Sequence, residues 1–231
     1  PSVKQQEEND SLLKHRSLTA PMLTKHNQII AMSTYNRKDD LSKAFNDFWR
    51  KALNSKEDFY SKLTLQEFVM LKKAITNINN IVTMLATEGF IHTLRNDGVI
   101  SSQQEAEMLQ QLLATHANTN GFDVEYNKEV KIVAEVKCNI PVNKKSFGAA
   151  QESSIMDDVE HLFNSKKKSD LTQKAIKDYY KFMVFLEEEN VRPSAQKLIK
   201  KLTNKGFQVK EYAPQISLQK DTVYFIYIST T

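Results

Sequence analysis

Two stretches decide how this chain folds: Gly121-Phe122-Asp123-Val124-Glu125-Tyr126 and, across Asn127-Lys128-Glu129, Val130-Lys131-Ile132-Val133-Ala134-Glu135-Val136-Lys137-Cys138. In the first, Phe122, Val124 and Tyr126 alternate with Asp123 and Glu125; in the second, Val130, Ile132, Ala134, Val136 and Cys138 alternate with Lys131, Val133, Glu135 and Lys137. A period of two over this length predicts strands, and the short polar turn predicts an antiparallel hairpin. Residues two apart on a strand point to one side, so Glu135 and Lys137 share a face while Ala134, Val136 and Cys138 take the other. Asp123 precedes Glu135 by 12 residues, and the turn folds it back beside that glutamate. Two carboxylates then converge near one ammonium.

Upstream of Gly121 the period is helical. From Asp39, the residues Leu41, Ala44, Phe45, Phe48, Trp49 and Ala52 recur at three- and four-residue steps. Thr64 caps a stronger helix through Phe68, Leu71, Ile75, Ile78, Val82, Leu85 and Ile91, which Asn96-Asp97-Gly98 ends. Ser101 or Ser102 opens a third helix through Leu109, Leu112 and Leu113, and Asn118-Thr119-Asn120-Gly121 closes it. Downstream, Pro141 ends the hairpin. A helix is expected over 147–163 with Ile155, Val159 and Leu162 inward, a short helix over 171–177, and a buried strand over 180–186. Pro193 is expected at a helix start and Gly206 at its stop, with strands over 207–212 and 223–228 following.

The sum is an α/β fold: a mixed central sheet flanked by helices, preceded by a helical N-terminal part. The expected organisation is an N-terminal arm over 1–38, a helical region over 39–100 and an α/β core over 101–231. The aromatic stripe Tyr180, Phe182, Phe185, Tyr224, Phe225 and Tyr227 reads as sheet core, since a base-stacking platform would need it exposed.

Composition narrows the chemistry. With 231 residues and 40% hydrophobic content, the chain can fill a proper core. No run nears the roughly 18 apolar residues of a membrane helix, and Pro1 to Asn9 lacks the apolar core of a signal peptide, so the expected location is the cytoplasm with no membrane partner. The single cysteine, Cys138, rules out an internal disulfide or a thiolate metal cluster and reads as a small hydrophobe. The histidines at 15, 26, 92, 116 and 161 lack zinc-ligand spacing. No G-x-x-x-x-G-K-[ST], G-x-G-x-x-G or G-x-S-x-G is present, which removes P-loop nucleotide hydrolases, dinucleotide enzymes and α/β-hydrolases.

Net charge is only +4, so nucleic-acid binding has to be argued from local clusters. Lys144-Lys145 and Lys166-Lys167-Lys168 lie just downstream of the hairpin, where a phosphate backbone would pass; solvated loop lysines are the plain alternative.

Acidic side chains on two neighbouring strands suit a hard divalent cation, and Mg2+, with Mn2+ as a substitute, takes oxygen ligands while keeping several waters. Asp123 and Glu135, the backbone carbonyl of Val136 and a substrate phosphate would complete its shell. The cation would polarise the phosphodiester and acidify water, and Lys137 would orient that water or stabilise charge building on phosphorus.

The pattern of Asp123 followed by Glu135-x-Lys137 resembles the signature of the PD-(D/E)XK nuclease superfamily, whose fold type II restriction endonucleases share. Phe122 stands where the family's Pro would be, and Glu125, two residues on and on the same face, rivals Asp123 as the first carboxylate. The resemblance covers roughly 64–231 in element order but few residues in motif. It implies a restriction-endonuclease-like sheet, double-stranded DNA as partner, and a homodimer so that both strands are cut. It also implies a further acid from an upstream helix, Glu105 or Glu88, and a glutamine after the motif, Gln151, supporting the lysine or touching DNA; ordinary surface glutamates and a glutamine bonding its own helix end are the alternatives. The expected activity is a Mg2+-dependent restriction-like endonuclease. The rivals are a resolvase or repair nuclease of the same fold, and a non-catalytic nucleic-acid-binding or assembly module in which the acids and lysine form an ion-pair network.

Overall fold

The computed structural model describes residues 36–115, 121–141, 146–167 and 169–229, which divide into two compact units, Pro1–Leu71 and Lys72–Thr231. Among the described residues, no helix is long and apolar enough to cross a membrane.

In the first unit, helix α1 (Arg37–Leu53) begins two residues before the expected Asp39, because the Asn36 side chain accepts from the backbone N–H of Lys38 at 3.0 Å and of Asp39 at 3.3 Å. Asp39 and Asp40 in its first turn and Arg50 and Lys51 in its last complement the helix dipole. The chain reverses at left-handed Asn54 into the short α2 (Phe59–Lys62). Asn46, buried on α1, locks the reversal: it donates to Asp58 at 2.7 Å and accepts from the Tyr60 N–H at 2.8 Å. Phe45 gathers Trp49, Tyr60 and Phe68 around this bond, whereas Leu41 and Phe48, on the expected apolar stripe, remain exposed.

Helix α3 (Leu65–Asn96) contributes Ala86, Phe90, Ile91 and Leu94 to the core of the second unit and ends at Gly98, whose φ of +73° suits glycine. Helix α4 (Ser102–Ala114) starts with a reciprocal capping box between Ser101 and Gln104. The hairpin follows as β1 (Val124–Asn127) and β2 (Lys131–Lys137), antiparallel, with Val124 opposite Ala134. Helix α5 (Ala149–Asn164), a 3₁₀ turn (Ala175–Asp178) and β3 (Tyr180–Glu187) come next, then α6 (Val191–Asn204), β4 (Val209–Glu211) and β5 (Val223–Ser229).

The five strands lie in the order β1-β2-β3-β5-β4, with β1 antiparallel and the others parallel. One sheet face, through Ile132, Ala134, Phe182, Val184, Tyr224 and Ile226, packs with Phe90, Ile91, Leu94 and Met108 of α3 and α4. The other, through Val133, Met183, Phe185, Val223 and Phe225, packs with Ile155, Val159 and Leu162 of α5 and Ala195, Leu198 and Leu202 of α6. The approach of α3 to the sheet is close enough that a Cβ on Gly89 would meet Ile228 Cγ2 at 2.5 Å. Lys181, buried in the second face, donates to the carbonyls of Tyr179 and Lys220, and burial lowers its pKa to about 8.

Other expected boundaries moved as well. The segment 171–177 forms only the 3₁₀ turn, because Ser169 and Thr172 hydroxyls take the N–H groups of Leu171 and Ala175. Helix α6 starts at Val191 after left-handed Asn190, which places Pro193 at its third position, where no N–H is required. Strand β4 keeps only Val209–Glu211: Phe207 turns to stack on Phe163 at 5.4 Å, and Tyr212 hydrogen-bonds Asp97 at 2.9 Å.

Candidate active site

The hairpin register that places Val124 opposite Ala134, carried one residue further, sets Asp123 opposite Glu135. Asp123 stands just before β1, and its Oδ2 accepts from the Val136 N–H at 2.8 Å, so the carboxylate takes a backbone donor that a longer β1 would have used. The N–H and C=O of one strand residue point to the same side, which turns the Val136 carbonyl toward Asp123 as well. The residue keeps an exposed edge, but its carboxylate turns inward, and burial raises its pKa against the opposing pull of Val136 N–H, Lys166 and Lys137.

Glu135 is 4% exposed. Burial, then repulsion from Asp123, pushes its pKa up to about 7, despite the counter-charge of Lys166. The Lys166 ammonium lies 2.5 Å from Glu135 Oε1, an ion pair that offsets part of the cost of burying this oxygen. The same ammonium donates to the Gly121 carbonyl at 2.9 Å and sits 5.1 Å from the centre of the Phe122 ring.

Lys137 emerges on the same side as Glu135 and is held by Asp158 on α5. Asp158 also lies 3.9 Å from His161 Nδ1, one turn further along. Sequence reasoning missed Asp158, although the signal was there: it stands three residues after Ile155 and four before Leu162, on the helix face that turns to the sheet. The result is a group of three carboxylates (Asp123, Glu135, Asp158) and two ammoniums (Lys137, Lys166), whose charges act on the ionisation of Asp123 and Glu135.

The remaining expected residues fall elsewhere. Glu88 and Glu105 gather around His92, at 3.7 and 2.7 Å, with Arg95 4.0 Å from Glu105. Glu125 lies 3.5 Å from the Ser169 hydroxyl, its pKa raised by burial. Gln151 accepts from the Gly148 N–H at 3.0 Å and donates to the Ile140 carbonyl at 3.3 Å, so its amide is occupied at the start of α5. Lys167 is exposed, whereas Lys166, expected beside it as a phosphate contact, folds into the site. Lys144, Lys145 and Lys168 lie outside the described residues. A small pocket beside Asp123 is lined by Thr87, Ile91, Met108, Phe122 and Glu125 among others.

No group of three or more His, Cys, Asp or Glu side chains converges closely enough to encircle a metal ion among the described residues. The donors present fit a cation that retains water: two facing carboxylates and a neighbouring carbonyl. That is the manner of Mg2+, which is held by one or two carboxylates with waters and substrate phosphate filling the rest. Comparison with protein-family models, curated proteins and solved structures finds no significant match to the chain.

Proposed function

We propose that this chain is a Mg2+-dependent endonuclease that hydrolyses phosphodiester bonds in double-stranded DNA, restriction-like in its chemistry and working in the cytoplasm as a homodimer. The observation that carries the reading is Glu135: a glutamate 4% exposed near the end of strand β2, facing Asp123 across the hairpin, with the repulsion between the two carboxylates only partly offset by Lys166. Burying one carboxylate against another is costly, and a single ammonium balances only one of the two charges, so the pair suits a divalent cation. The resemblance of Asp123, Glu135 and Lys137 to the PD-(D/E)XK pattern points the same way.

Asp123 and Glu135 would hold the ion, with the Val136 carbonyl beside them. When bound, Mg2+ would supply Lewis-acid polarisation of the phosphate and a more acidic water. Lys137 carries the charge that stabilises the developing oxyanion, and Asp158 holds its ammonium in place. The site stands at the carboxyl end of parallel strand β2, the usual position of ligands in open α/β sheets.

One observation favours the non-catalytic alternative: both lysines already have acidic partners, as in an ion-pair network that ties α5 to the hairpin. Incubation with plasmid DNA and Mg2+ decides. Cleavage by the wild type that is lost in Glu135→Ala and Lys137→Ala, both still folded, supports the enzyme. A wild type that retards DNA on a gel but leaves it intact across a panel of linear, branched and single-stranded substrates overturns it.

A further inference from the structure

Lys166 makes three contacts, each with a group that attracts cations: a buried carboxylate oxygen at 2.5 Å, a backbone carbonyl at 2.9 Å and an aromatic face at 5.1 Å. Its side chain is only 21% exposed. The backbone that delivers it is unusual. Ser165, directly before it, caps α5 at φ +68° and ψ 162°, a region open essentially to glycine alone. Such a conformation is strained and persists only where its surroundings enforce it. Here the Ser165 hydroxyl bonds the Leu171 carbonyl, and the Lys166 contacts lie on the far side of the turn.

We propose that the Lys166 ammonium occupies the seat of the divalent cation, so that a metal ion must displace it from Glu135 to enter; this rests on the metal-dependent reading above. A divalent ion at the roughly 2.1 Å of a magnesium–oxygen bond, on the side of Glu135 Oε1 that the ammonium now takes, cannot share that position with it, and two cations so close repel each other strongly. Charge points the same way. With all three carboxylates ionised, as a bound cation requires, they leave the cluster at −1 against its two ammoniums. Exchanging Lys166 for a divalent ion brings it to zero, whereas adding the ion with Lys166 still in place makes it +1 inside a poorly solvated site. Lys166 therefore keeps Glu135 from standing uncompensated while lowering affinity for the metal. It is a positioning residue for the cation, distinct from Lys137, which is engaged by Asp158.

The test is Mn2+ binding to DNA-free protein, followed by loss of the free-ion electron paramagnetic resonance signal, in wild type, Lys166→Met and Glu135→Ala. Lys166→Met binds about tenfold more tightly than wild type, equivalent to about 1.4 kcal/mol, while Glu135→Ala binds least. Unchanged or weaker binding by Lys166→Met, with Glu135→Ala still defective, overturns the exchange but leaves the metal site standing. No binding by any of the three overturns both. A second measurement avoids substitution: after reductive 13C-methylation, the Lys166 resonance shifts as Mg2+ saturates the protein, and a resonance that stays fixed overturns the proposal.

Discussion

Replacing Glu135 by Gln removes a charge whose cost the structure sets. The side chain is 4% exposed and its pKa is about 7, against an ordinary value of 4.5. A carboxyl raised in this way binds its proton more tightly in the native than in the unfolded protein. The stability it lends is full below 4.5 and is lost as pH rises through 7. At about 1.4 kcal/mol per pH unit, this gap corresponds to about 3 kcal/mol in all, of which about 2 to 3 kcal/mol falls between about pH 5 and pH 8. Glu135→Gln keeps the shape and cannot ionise. Urea unfolding of both proteins in a chelator, at about pH 5 and about pH 8, isolates the effect of Glu135 and the charges coupled to it, because titrating groups remote from it cancel in the difference. The expectation is a difference that moves in favour of the variant by about 2 kcal/mol on going to the higher pH. A difference that is flat with pH, or that moves toward the wild type, would refute the reasoning that burial and Asp123 dominate at this position.

Asp158→Asn should release Lys137 while leaving both hairpin carboxylates in place. Its cleavage rate with Mg2+ is expected to fall by about 10- to 100-fold with Mn2+ affinity nearly unchanged, and an equal loss of both would show that Asp158 acts on the metal itself. In the N-terminal unit, Asn46→Ala leaves the Tyr60 N–H without its acceptor and removes one of the donors to Asp58, which keeps the Ser61 N–H. The expected destabilisation of about 1 to 3 kcal/mol can be followed through fluorescence of Trp49, the single tryptophan, and an unchanged urea midpoint would show that Asn46 does not hold the reversal together.

The hairpin was readable because its alternation is strict on both strands and its turn is short. That parity put Glu135 and Lys137 on one face and Asp123 opposite. The parallel strands β3 and β5 were readable from runs that are apolar and aromatic apart from Lys181. What stayed hidden depends on contacts between distant residues. Lys166 meets a carbonyl 45 positions earlier, and nothing in a run of three lysines tells which one turns inward. Asp158 was hidden by the assumption that an inward helix face is apolar. Glu88 and Glu105 stand on suitable helices, yet a histidine between them captures both, an outcome set by the packing of α3 and α4. Strand β4 ends early because two aromatic side chains find partners off the sheet, a tertiary override of local preference.

Asp123 accepts the Val136 N–H, so the residue suited to hold an ion also caps the open rung of the ladder. The site is thereby bound to the parity of the loop between β1 and β2. An insertion of one residue there, with β2 held in place, would send the aspartate to the side packed by α3, while an insertion of two would restore its side. In descendants of this sequence, and in any attempt to redesign it, that loop can change length freely only in even steps, and odd changes should appear only where the chemistry has been given up.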